Sequence, residues 1–333
     1  MQWPAGKRND STTSAEKKGA VMQAIARDVL ESIGGTPIVE LRKVIPPGSA
    51  RVLAKLEFSN PTGSMKDRMA KAAIEGAEAS GRLGPGGTVV EYTAGTTGVS
   101  LALVCAVKGY PLKIVFSDAF SDEKRRMMEA FGAHITDVIS DQKKITESLI
   151  KAMIRRAADI SASPGHWYCD QLNNTDAING YRPLGEEIWA QTAGRIDAFV
   201  HAVGTAHAIH GATKALWARQ PGIHIVAVEP QESAVLSGKP TGSHQIEGIG
   251  IGFVPPLWEP ELVNEIQTVT TSDAKAMARR LAREEGIFAG TSSGANVVAA
   301  IRIAQRLGHG ATVVTIMCDS GMRYLSTDVY RRQ

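Results

Sequence analysis

Short apolar runs alternate with amphipathic stretches through most of the chain. The runs predict strands at Pro37–Leu41, Arg51–Glu57, Thr88–Tyr92, Leu112–Phe116 and His134–Val138, and again at Ile196–Val203, Ile223–Glu229 and Ala311–Met317. Between them the helical period predicts a first helix from about Ala15 to Ile33, stopped by Gly34–Gly35. Further helices are expected from near Lys66 to Gly81, at Thr96–Lys108, and at Ser121–Phe131 with Ser121 as N-cap. Another should carry Ile145, Leu149 and Met153 on one face, followed by Gly185–Gln191, Ala206–Arg219, Ser272–Glu285 and Gly294–Leu307. Strands alternating with helices indicate crossover units, hence α/β architecture with parallel sheets covered on both faces. Pro230–Thr270 breaks the rhythm with five glycines and several prolines, which predicts an irregular layer of functional loop. Residues 1–14 are polar and aperiodic and read as a tail.

Composition narrows the class. A length of 333 residues with 43% apolar content suits about two domains with sizeable cores. No apolar run approaches the ~18–20 residues that cross a bilayer, so no membrane partner is expected. The net charge is only +3, of which residues 1–28 carry +2, so nucleic acid is not expected either. Cys105, Cys169 and Cys318 are odd in number and far apart, which argues against a disulfide framework. No apolar core backs the N-terminal charges as in a secretory signal, and the expectation is a cytoplasmic protein.

Glycine, at 33 residues, is about 10% of the chain against an average near ~7%. Three glycine-rich turns join a strand to a helix: Thr93-Ala94-Gly95-Thr96-Thr97-Gly98, Gly204-Thr205-Ala206-His207-Ala208 and Gly290-Thr291-Ser292-Ser293-Gly294. Ligands of open α/β sheets bind at such carboxyl ends, and free N–H groups of helix N-termini attract anions. One such turn is ordinary; three rich in hydroxyls point to an anionic ligand. Neither a phosphate loop closed by Gly-Lys-Ser/Thr nor a G-x-G-x-x-G fingerprint is present, which removes the support for hydride transfer. Lys66 opens its helix, where the macrodipole disfavours a cation by a few tenths of a kcal/mol. It is either a solvated lysine balanced by Asp67 or an amine whose proton is easily lost, suited to Schiff-base chemistry. His207 and His210 stand one turn apart without a third nearby ligand, so no metal is expected.

Taken together, these segments resemble the cysteine synthase (O-acetylserine sulfhydrylase) and cystathionine β-synthase family of fold-type-II pyridoxal-phosphate enzymes. The resemblance runs from about Ile33 to Thr327 in ordered motifs: IGGTP at 33–37, NPTGSMKDR at 60–68, TAGTTG at 93–98 and GYPLKIVF at 109–116, then VEPQESAVLSG at 228–238, HQIEGIGIGF at 244–253, EEGIFAGTSSGA at 284–295 and DSGMRYLST at 319–327. It implies two open, twisted, mostly parallel sheets flanked by helices, as in the tryptophan synthase β-subunit. Residues 60–174 would form a smaller mobile substrate-loop domain, and 28–59 plus 175–330 a larger phosphate-binding domain, after a flexible tail at 1–27. The cofactor implied is pyridoxal 5′-phosphate. Lys66 matches the lysine that holds it covalently, and Thr96, Gly204, Thr205, Ala206, His207, Ala208 and Ser292 match cofactor-binding positions. Ser292 corresponds to the neutral hydroxyl at the pyridine nitrogen, which withdraws fewer electrons than an aspartate would and favours loss of a β-leaving group. Thr93, Ala94, Gly95, Thr97 and Gln171 match the grip on the substrate carboxylate.

The activity implied is β-elimination and β-replacement on an O-activated L-serine, O-acetylserine or O-phosphoserine, by a sulfur nucleophile. Alternatives are a serine/threonine dehydratase, a cysteine desulfhydrase, or replacement by another nucleophile. A non-catalytic homologue would be expected to have lost the lysine, and Lys66 is present. A homodimer is implied as well. The chain departs from the family where Ala94 and Thr96 replace serine and asparagine, and where Ala206, His207 and Ala208 replace two glycines and a threonine. Two expectations for His207 stand side by side. It either donates to the phosphate or projects into the pocket, or else it faces solvent or a loop carbonyl.

Overall fold

The structure is a computed structural model and describes residues 25–142 and 146–331. In chain order the elements are β1 (Ile38–Leu41), β2 (Arg51–Leu56), α1 (Lys66–Ala79), β3 (Thr88–Tyr92), α2 (Thr96–Lys108), β4 (Leu112–Phe116), α3 (Asp122–Ala130), β5 (His134–Asp137), α4 (Glu147–Ser161), β6 (His166–Tyr168), α5 (Asp176–Asn179) and α6 (Arg182–Gln191). There follow β7 (Ala198–Ala202), α7 (His207–Arg219), β8 (His224–Pro230), β9 (Glu265–Val269), α8 (Thr271–Arg280), α9 (Thr291–Leu307) and β10 (Thr312–Met317). They build two sheets flanked by helices. One is four-stranded and parallel, in the order β5-β4-β3-β6; the other is six-stranded, in the order β1-β2-β10-β7-β8-β9. The larger sheet is parallel apart from the antiparallel β1–β2 pair.

Its central strands explain why the pattern was readable. Every residue of β7 and of β10 is buried, as expected of strands covered on both faces, so both are mostly apolar, interrupted only by His201 in β7 and by Thr312 and Thr315 in β10. β2 and β10, separated by most of the chain, are neighbours in the sheet. The β10–β7 junction therefore joins distant parts of the sequence, and their carboxyl ends open onto the cleft described below.

Several expectations are corrected. The first helix is, within the described residues, a single 3₁₀ turn at Val29–Ser32, capped by Asp28 accepting from the Leu30 and Glu31 N–H groups; residues 15–24 of that expectation lie outside the described residues. Ser121 stands at the N-cap of α3 in extended conformation, as expected, but its hydroxyl makes no capping bond, and Asp122 and Glu123 supply the first-turn charge. Leu149 and Met153 are buried together on α4 with Ala157, while Ile145 lies outside the described residues. The helix expected through Glu285 is α-helical only to Arg280 and finishes as a wider π turn, Leu281–Glu285. The irregular layer Pro230–Thr270 contains strand β9, whose only buried residue is Val269; a half-covered edge strand carries little apolar signal. β6 is three residues long, too short for alternation to register. Among the described residues no helix is long and apolar enough to cross a membrane.

Candidate active site

Lys66 is the first residue of α1, and the turn before it is tied down from several sides. The buried Asp67 carboxylate accepts from the Thr62 N–H at 2.8 Å, the Thr62 hydroxyl at 2.6 Å and the Ser100 hydroxyl of α2 at 2.6 Å. Arg323 donates to the Thr62 carbonyl, and the Met65 N–H donates to the Cys318 carbonyl beyond β10. The acid next to the lysine thus acts as an internal clamp. It does not offset the lysine at the surface, as the bland reading of Lys66 had it.

Lys66 lines a cleft that opens to solvent. The remaining wall comes from the carboxyl ends of β7 and β10 and from the first residues of α2, α7 and α9. Of the residues expected to hold a cofactor, Thr96, Gly204, Thr205, Ala206, His207, Ala208 and Ser292 all face this cleft with Lys66. Burial pushes the Lys66 amine below its usual pKa, with Cys318 and Asp319 opposing the shift, so the neutral base is more accessible.

The α7 entry is tightly built. A Cβ on Gly204 would stand 2.5 Å from the Gly248 carbonyl, so glycine is required for the 246–250 loop to close over this turn. Ala206 takes the left-handed conformation at φ 69°, a strained choice for a residue with a side chain, and is buried. His207 is fully buried, with Nδ1 2.9 Å from the Thr205 hydroxyl. The expectation that its ring faces solvent is therefore overturned. His210, one turn on, stacks on Trp258 at 5.5 Å and accepts from the Glu259 N–H. Among the described residues no group of three His, Cys, Asp or Glu is placed to hold a metal ion.

Thr93, Ala94, Gly95, Thr97 and Gln171 do not line the cleft floor; they form the α2 turn that carries Thr96 and the support behind it. The Thr93 hydroxyl accepts from the Gly95 and Gly98 N–H groups. The Thr97 hydroxyl donates to Gln171 Oε1, and Gln171 Nε2 donates to the Tyr92 carbonyl. The structure thus brings Gln171 to the turn across 74 residues of sequence. A Cβ on Gly95 would meet Lys124 at 2.3 Å, so this glycine lets Lys124 lie across the turn and pair with Glu247 of the facing loop.

Sequence reasoning missed several residues here. Glu247, Gly248, Ile249 and Asp319 fall inside the motifs at 244–253 and 319–327 but were given no role, while Cys318 and His201 had no distinguishing pattern. Asn296 had none either. β7 and β10 pair from Ala198–Val313 to Val200–Thr315 and then diverge. Asn296 bridges the gap, accepting from the Ala202 N–H at 2.7 Å and donating to the Ile316 carbonyl at 2.7 Å. It keeps the strands splayed at the mouth of the cleft. Asn296→Ala orphans two buried backbone groups and should destabilise the fold by about 1–3 kcal/mol for each, read as a lower urea midpoint. Neither cysteine near the site is nucleophilic: burial pushes the Cys318 thiol up to about 12 and the Cys169 thiol well above its usual value.

The donor set fits pyridoxal phosphate. A buried amine, two helix N-termini and the hydroxyls of Thr205 and Ser292 converge on one cleft, and the His207 Nε2 is buried without a partner among the described residues. Residues 29–319 match the family described as pyridoxal-phosphate dependent enzymes, and the chain belongs to that family. It is 41% identical over 305 residues to a cysteine synthase of Staphylococcus aureus, covering 91% of this chain and 96% of that protein. The crystal structure of cysteine synthase from Entamoeba histolytica superposes with a TM-score of 0.86 at 38% identity, over 98% of this chain and 95% of that one. An O-ureido-L-serine synthase structure also reaches 0.86, at 35% identity over 92% and 95% of the two chains. Within its family this is a pyridoxal-phosphate-dependent enzyme of the cysteine synthase kind.

Proposed function

We propose that the chain replaces the β-substituent of an O-activated L-serine with a sulfur nucleophile, with O-acetylserine and sulfide the pair to which the names of its relatives, cysteine synthase and O-acetyl serine sulfhydrylase, point. The observation that carries this reading is Lys66, a buried amine of depressed pKa in the cleft where the N-termini of α7 and α9 meet. Pyridoxal phosphate, when bound, supplies an electron sink that loosens the α-proton and the β-leaving group of the amino acid. Lys66 holds the cofactor and is the base that takes the α-proton and later returns it. The α7 N-terminus holds the phosphate, with the Thr205 hydroxyl turned to the His207 ring; Ser292 offers the pyridine nitrogen a neutral hydroxyl. The α2 turn, Thr93 to Thr97 with Gln171 behind it, orients the substrate carboxylate, and Thr96 faces the cleft where the two meet.

In this reading residues 60–174, which contain the four-stranded sheet, form the smaller substrate-loop unit. Residues 28–59 and 175–330 form the larger unit, and the working assembly is a homodimer, which light scattering would test. Purified with the cofactor, the protein should be yellow and change its visible spectrum with the true donor. O-acetylserine, O-phosphoserine and serine are compared in turn, and sulfide should then restore the starting spectrum with cysteine as product. Release of a keto acid without need of sulfide would assign a lyase instead. A protein that binds no pyridoxal phosphate would sink both.

A further inference from the structure

His207 is a cleft residue whose chemistry the proposed function leaves unused. It is the first residue of α7, a 13-residue helix, and it lines the same cleft as Lys66. The side chain is 0% exposed, and Nε2 has no hydrogen-bond partner among the described residues. A buried polar atom left unpaired costs about 1–3 kcal/mol, so such an atom at a ligand site points to a partner that arrives with the ligand. Its neighbours in the turn cannot fill that role: Ala206 and Ala208 bring no side-chain donor, and Thr205 already engages the ring.

We propose that His207 is a positioning residue for the cofactor phosphate, donating a hydrogen bond from Nε2 to a phosphate oxygen at the α7 N-terminus. This rests on the reading of the cleft as a pyridoxal-phosphate site. The Thr205 contact is compatible with this arrangement. When the Thr205 hydroxyl donates to Nδ1, the ring proton sits on Nε2, which is the tautomer an anion selects. Burial, and then the nearby Lys66 and His210, push His207 down to about 3, so the ring enters this role as a neutral donor. The departure at position 207 thus changes how the anion is held without adding a permanent charge.

The test compares two ligands on the apoenzyme, pyridoxal phosphate and pyridoxal, which lacks the phosphate. His207→Phe keeps a ring of similar size and removes the donor; His207→Gln keeps an N–H. A hydrogen bond to a charged group is worth about 1.5–3 kcal/mol, so His207→Phe should bind pyridoxal phosphate roughly 10- to 150-fold more weakly. Pyridoxal affinity should stay within twofold, and His207→Gln should recover much of the loss. Equal weakening for both ligands would mean a packing role, and unchanged affinity would mean no role; either overturns the proposal. If His207→Phe does not fold, the wild-type apoenzyme decides through histidine ring ¹⁵N shifts during titration with inorganic phosphate. The proposal requires one buried ring to become fixed with its proton on Nε2, and no such ring overturns it. Wild-type protein that binds no pyridoxal phosphate would instead defeat the underlying reading of the site.

Discussion

Lys66→Ala should purify without the visible absorbance of the loaded wild type and lose turnover by at least about 10²–10⁴-fold, the range of a removed acid–base group. The loss should be greater where covalent attachment fails as well. Folding should survive. The Lys66 side chain makes no ion pair or hydrogen bond among the described residues, and the Asp67 clamp that fixes the turn is independent of it. Removing an amine that burial already disfavours should leave the melting temperature unchanged or raise it slightly. Absorbance spectra and thermal unfolding of the same preparation separate the outcomes. A colourless, well-folded, inactive variant supports the assignment. A variant that keeps both colour and turnover contradicts it, and one that loses colour only because it is unfolded would place Lys66 in the structure.

Much of this arrangement could be read before any fold was seen, and the boundary has physical causes. β7 and β10 announced themselves because strands covered on both faces are mostly apolar, and the turn after β7 carried glycine and a hydroxyl at an end that binds ligands. Lys66 at the head of its helix was legible as an anomaly of charge placement. β9 was not legible, because four of its five residues are only partly covered and nothing demands that they be apolar. Asn296 was hidden for another reason. It sits mid-pattern in an apolar helix, and its value comes from two backbone groups on strands that are remote from it in sequence. Asp319 and His201 belong to the same class, since their place in the cleft depends on which strands become neighbours. His207 falls between these cases. Its departure from the family pattern marked it, but only the structure shows a buried ring with one nitrogen engaged and the other without a partner among the described residues.

Arg68→Met should lower stability by about 3–5 kcal/mol, the usual consequence of removing one partner from a buried ion pair. Arg68 is two residues past Lys66 and lies at the centre of a network linking α1 to β2 and α6. It binds the fully buried Glu57 through two bonds, at 2.7 and 2.8 Å, and Glu187 through two more at 2.8 Å. Glu187 also pairs with the buried Lys55 at 2.6 Å, and Lys55 donates to the Thr36 carbonyl. Burial alone would raise the Glu187 pKa, but the bonds and charges of Arg68 and Lys55 hold it down to about 2. A carboxylate depressed on folding adds stability above its unfolded pKa and loses it as pH falls through the folded value. The wild type should therefore lose stability between roughly pH 4.5 and 2 from this group, while Arg68→Met should lose less over that window. Urea unfolding at pH 7 and pH 3 measures both effects, and Arg68→Met with Glu57→Gln should recover part of the loss by removing the stranded charge. An unchanged midpoint in Arg68→Met would mean that the network does not hold α1 in place. The positioning of Lys66 would then rest on the Asp67 clamp alone.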